Sequence, residues 1–93
     1  MILKSYSVFD SATGVFTTPF MVHNDQAAMR SCVSAMDGTL FGEFPEQFSL
    51  FHIGEFETAS GVYSPSEHRL VTNLSSLVPQ TFAAKQNTIQ FVE

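Results

Sequence analysis

The sequence predicts an α+β domain: a small, mainly antiparallel sheet of about four strands with one or two packed helices. Three observations lead there. The stretch Phe48-Ser-Leu-Phe-His-Ile-Gly-Glu-Phe56 is the densest apolar run in the chain. If extended, it puts Phe48, Leu50 and Phe56 on one face and Phe51 and Ile53 on the other, the pattern of a central strand. Residues 25–36 repeat apolar side chains at the helical period. Around these two segments, short β-rich runs are punctuated by glycine and proline.

Each element has its own local reason. In 2–10, Ile2, Tyr6 and Val8 share a face with Lys4, and Leu3 and Phe9 share the other with Ser5 and Ser7. The β-formers among them support a strand. Asp10-Ser-Ala-Thr-Gly14 reads as a turn, with Asp10 bonding its backbone and Gly14 free to take a positive φ. Val15-Phe16-Thr17-Thr18 returns as a hairpin partner. It ends at Pro19, which has no N–H for a ladder.

Asn24 is a helix N-cap, and Asp25 suits the positive end of the helix dipole. Ala28, Met29, Cys32, Val33 and Met36 form one stripe, and Gly38 stops the helix. A helix over 25–36 packed on the sheet is therefore expected. Residues 38–47 form a connection broken by Gly38, Gly42 and Pro45. Its Phe41 and Phe44 read as satellite core, with peptide or nucleobase contact as the alternative.

After the central strand, Glu57-Thr-Ala-Ser-Gly61 is a hairpin loop and 61–64 a fourth, short strand that Pro65 ends. Residues 66–78 are ambiguous. Leu70, Val71, Leu74, Leu77 and Val78 fit a helical stripe with Ser66 as cap, and we favour that helix. The β-branched residues keep a strand over 69–74 open. Residues 1–78 thus read as one domain and 79–93 as a tail. Thr88-Ile-Gln-Phe-Val-Glu93 alternates, so the tail is either frayed or able to add a strand to an exposed edge. A free edge and such a tail motivate a homo-oligomer.

Charge narrows the function classes. The 93 residues carry four Lys or Arg against nine Asp or Glu. No Lys or Arg lies between Arg30 and Arg69, where Asp37, Glu43, Glu46, Glu55 and Glu57 fall. Such a chain is poorly equipped to displace counterions from phosphates or to hold an anionic membrane. The single cysteine, Cys32, excludes an internal disulfide and fits a reducing compartment. No run nears the ~20 apolar residues of a membrane span, and the opening lacks a signal-peptide pattern. The chain is expected to start at or near Met1 in the cytosol.

Catalytic patterns are not found. His52-x-x-Glu55 has a ligand spacing suited to a helix, but on a strand i and i+3 point to opposite faces. His52 then reads as a partly buried histidine, and His23 and His68 as exposed loop or cap residues. Cys32 lies on the apolar helix stripe, where burial raises a thiol pKa. No Gly-x-Ser-x-Gly elbow or phosphate-cradling glycine run occurs. Glu55 and Glu57 share a strand face, which a solvated acidic edge explains. No enzyme activity, metal or cofactor is assigned. Tyr6, Phe51, Phe56 and Tyr63 could stack bases on a sheet face, with Lys4, Arg30 and Arg69 as the few phosphate contacts. Core packing is the competing account of these rings.

Several segments together resemble a known family: Met1-Ile-Leu-Lys-Ser-Tyr-Ser-Val-Phe-Asp10, Pro19-Phe20, Asn24-Asp-Gln-Ala27 and, above all, Phe44-Pro-Glu-Gln-Phe-Ser-Leu-Phe-His-Ile-Gly-Glu-Phe56. They resemble the small nonstructural protein of gokushoviruses, single-stranded-DNA bacteriophages of the microvirus family. The resemblance covers roughly 1–64, with Ser49–Phe56 the most specific block. It implies an early phage protein in the host bacterial cytoplasm, similar in role to the microvirus factor that switches replication towards single-stranded genomes and couples it to packaging. It brings no catalytic residues. It adds His52, Glu55 and Gly54 of the matched block to the positions of interest. The expected partners are phage replication or procapsid proteins, with single-stranded DNA or a host protein as alternatives.

Overall fold

The computed structural model describes residues 1–78, so the tail 79–93, including Lys85 and the alternating 88–93, lies outside the described residues. In chain order the elements are β1 (Ile2–Asp10), β2 (Val15–Phe16), β3 (Phe20–Val22), α1 (Asp25–Met36), α2 (Leu40–Glu43), β4 (Phe48–Glu57) and β5 (Val62–Asn73). Short 3-10 turns cover Pro45–Gln47 and Leu74–Leu77. The strands form one antiparallel sheet in the order β2-β1-β4-β5, and β3 shares with β2 the outer edge of β1. The architecture is the α+β one expected from the sequence.

The break between β2 and β3 covers residues 17–19, and Thr17 still ties it to β1 through its backbone and its side chain. The Thr17 N–H donates to the Val8 carbonyl at 2.8 Å, and the Val8 N–H donates to Thr17 Oγ1 at 3.0 Å. Strand β3 went unnoticed in the sequence because three residues carry no readable period.

Helix α1 has the bounds the pattern required. Asn24 Oδ1 accepts the Ala27 N–H at 2.9 Å, and Gly38 takes a φ of 71° just past the end. Ala28, Cys32 and Met36 are buried against Tyr6, Val8, Phe48 and Leu50 of the sheet, joined by Leu74 and Leu77. Among the described residues the core therefore lies on one side of the sheet.

Two expectations are corrected at β5. The strand does not end at Pro65, and 66–73 is not helical. Pro65 is tolerated because β5 is an edge strand among the described residues and a ladder irregularity begins beside it. The outer edge of β4 recruits the whole segment, and pairing overrides its weak helical stripe. Helical turning begins only at Leu74, with a 3-10 turn over Leu74–Leu77 in which both leucines are buried. The second helix is instead α2, inside the expected connection. Phe41 of α2 packs on Phe48 with ring centroids 4.7 Å apart, whereas Phe44 is exposed.

A bulge in β4 corrects the facing of the central strand. Tyr6 pairs with His52 but Ser5 pairs with Gly54, so Ile53 is the extra residue. One inserted residue reverses the side-chain parity beyond it. Phe56 therefore shares a face with Phe51, not with Phe48 and Leu50. His52 and Glu55, expected on opposite faces, fall on the same one, opposite Tyr6 and Lys4.

Candidate functional site

The residues singled out from the sequence separate onto the two faces of the sheet. On the helix-bearing face, Tyr6 and Lys4 of β1, His52 and Glu55 of β4 and Arg69 of β5 follow from the register. Two of these, Tyr6 and Arg69, meet Asp25 at the start of α1. Tyr6 Oη donates to Asp25 Oδ1 at 2.5 Å, and the Arg69 guanidinium donates to both Asp25 oxygens at 3.0 and 3.1 Å. His52 presents an edge-on ring contact to Tyr6 at 5.5 Å, and its Nε2 is buried with no hydrogen-bond partner among the described residues.

Asp25 is the member the sequence reading treated only as a helix-start residue. Its spacing from Tyr6 and Arg69 gave no local signal. The Arg69 hydrogen bonds hold its carboxyl below the usual carboxylate range, reinforced by the Tyr6 hydroxyl. Burial first, and donation to Asp25 second, push the Tyr6 phenol well above its ordinary value. Chemically this is a clamp. It ties an edge strand, a central strand and a helix N-terminus through charge-assisted bonds. It also commits Arg69, so that cation is neutralised where it stands. Arg30 sits apart on α1, facing Asn24 and Gln26 across a shallow depression.

Cys32 borders a cleft of about 360 Å³ between α1 and the β2–β3 edge, with Val8, Thr17, Phe20 and Phe41. Burial pushes the thiol up to about 11, so it is a neutral packing group at pH 7. Among the described residues, no three His, Cys, Asp or Glu side chains converge as a metal site would require.

The opposite face carries the other candidates. Phe51, Phe56 and Tyr63 project there, together with Phe9 and Phe16. The rings touch in series: Phe9 to Phe16 at 4.9 Å, Phe16 to Phe51 at 5.7 Å and Phe16 to His68 at 5.4 Å. His68 was expected in a loop or cap. It lies in the irregular stretch of β5 between Pro65 and Arg69, and it covers the edge of the Phe16 ring. Tyr63 lies across Gly54, where a Cβ would fall 2.7 Å from its Cζ.

No described helix covers this face. Phe16, Met21, Tyr63 and Leu70 remain 43, 40, 40 and 57 % exposed on it. Charge is segregated as strictly as shape. The charged residues with a register partner are Lys4, Asp10, Glu55, Glu57 and Arg69, and all project to the helix-bearing side. The open side pairs Leu3, Ser5, Ser7 and Phe9 with Phe56, Gly54, Phe51 and Ser49. Exposed aromatic side chains clustered on one sheet face make it the candidate interaction surface.

These features define the class: a two-layer α+β domain with a helix on one side of the sheet and, among the described residues, an aromatic surface that no helix covers on the other. The chain belongs to the phage ORF5 protein family, whose model matches residues 3–77, and is therefore a bacteriophage protein. No curated protein and no solved structure matches it. Among the described residues no helix is long and apolar enough to cross a membrane.

Proposed function

We propose that the protein is a non-enzymatic accessory protein of a gokushovirus, a single-stranded-DNA phage of the microvirus family. It works in the host bacterial cytoplasm, in synthesis of single-stranded genomes or in their packaging, through contacts with phage replication or procapsid proteins. One observation carries this reading. An aromatic sheet face with exposed Phe16, Met21, Tyr63 and Leu70 bears no charged residue that has a register partner. Such a surface gains by meeting another apolar surface, not a polyanion.

The second reading is single-stranded-DNA binding. It is favoured by the shared placement of Phe51, Phe56 and Tyr63 on one face, as in stacking platforms. Against it, the cations Lys4 and Arg69 project to the other side, and Arg69 is held by Asp25. Stacked bases would leave their phosphates without a counter-charge.

Two measurements separate the readings. The protein, immobilised in infected-cell extract, is expected to retain replication or procapsid proteins identified by mass. The Leu70→Asp variant is expected to lose them. Retention of host proteins alone points instead to a host-interaction role. Fluorescence anisotropy with a labelled single-stranded oligonucleotide is expected to show no submicromolar binding at physiological salt. Tight binding that persists there and is lost in Tyr63→Ala makes the face a stacking platform.

A further inference from the structure

We propose that the open face is the interface of a homodimer, in which two copies pack sheet against sheet. This rests on the reading of that face as a protein-contact surface and names its first occupant. Three observations select a second copy.

The first is charge. The chain carries a formal net charge of −5, so two copies repel each other over most of their surfaces. The open face is where that repulsion is least. No Asp or Glu with a register partner projects from it, and no Lys or Arg does either. It is therefore electrostatically matched to itself and to no strongly charged partner.

The second is size. The face spans neighbouring strands of nine, ten and twelve residues, with β2 and β3 beyond β1. At about 3.3 Å per residue and about 4.8 Å per strand, this is a surface of about 30 by 20 Å. That is the order of the roughly 800 Å² per partner in a stable interface. A single extended segment covers a strip one strand wide. A second sheet at about 10 Å covers all of it.

The third concerns the alternative route to assembly, the outer edge of β5, which pairs with no other strand among the described residues. That edge carries Pro65, and the register jumps from Arg69 to Pro65 while β4 moves only from His52 to Gly54. Residues 66–68 therefore bulge from the ladder, with Glu67 among them. Proline, bulge and charge are the devices that blunt an edge against strand addition. Assembly by strand addition to a free edge, the route the sequence motivates, thus gives way to a face-to-face one, related by a two-fold axis.

The test is sedimentation velocity of the full chain from low micromolar to about 100 µM, where a dimer with a micromolar Kd is largely formed. The expected species has twice the chain mass. Leu70→Asp and Met21→Asp, on opposite margins of the face, each weaken it at least tenfold with an unchanged far-UV spectrum. Val62→Asp, on the same strand but of the other parity, leaves it intact, as does Ile89→Asp/Phe91→Asp. A monomer throughout overturns the proposal. So does a dimer that resists both face variants, or one abolished by Val62→Asp or by the tail variant. A monomer that still retains phage proteins through Leu70 overturns the dimer while leaving the proposed function standing.

Discussion

The ring of Tyr63 lies over the backbone of Gly54, its register neighbour one place removed on the adjacent strand. Tyr63 itself pairs with Phe56, and Gly54 with Pro65. The absent side chain of Gly54 is the space the ring occupies. A Cβ there would come within 2.7 Å of Tyr63 Cζ and 2.8 Å of the Ser64 carbonyl oxygen. The glycine of the Ser49–Phe56 block therefore serves close approach between strands.

Gly54→Ala is expected to destabilise the protein by about 1–3 kcal/mol, the range for overpacking a tight site. Adding Tyr63→Ala restores only part of the loss, because the Ser64 carbonyl is backbone and cannot swing aside. Urea denaturation checks this. A Gly54→Ala midpoint equal to the wild type contradicts the contact.

The clamp at the start of α1 predicts a specific pH dependence. Arg69 and Tyr6 together lower the folded-state pKa of Asp25. The unfolded carboxyl binds its proton first as pH falls, so stability rises with pH across that window. The contribution is complete above the ordinary aspartate value of about 4 and is lost as pH drops through the lowered native value. Tyr6→Phe removes one charge-assisted bond and is expected to cost about 1–2 kcal/mol at pH 7. The solvent-exposed ion pair alone is worth no more than about 1 kcal/mol, so Arg69→Ala costs less. Both variants should flatten the acid limb of the stability curve. Unchanged slopes on that limb, measured by urea titration from acid to neutral pH, would contradict the clamp.

Cys32 predicts slow alkylation. Its thiol is raised to about 11 and is buried, so native protein should react with iodoacetamide at least tenfold more slowly than protein in urea. Stability should also fall as pH rises from the unfolded thiol value of about 8.5, because the unfolded state releases its proton first. Equal rates in the two states would place Cys32 outside the core.

What the sequence determined by itself was local. Asn24, the 3.6-residue stripe and Gly38 defined α1 to the residue, because cap, period and stop all act within a few positions. The face assignment of Tyr6, Val8, Ser5 and Ser7 in β1 was legible for the same reason, since that strand alternates without interruption. The aromatic candidates Phe51, Phe56 and Tyr63 were found by type, but not their common face.

Tertiary structure decided what depended on pairing. The Ile53 bulge exists only relative to β1, yet it sets which side Phe56, His52 and Glu55 occupy. Residues 66–73 are a strand because the second edge of β4 takes β5 as its partner, which no local propensity reports. Asp25 joined Tyr6 and Arg69 across 19 and 44 positions because three elements converge there. The open face arose in the same way. Each strand contributes its uncharged parity, and only the register adds those contributions into one apolar surface.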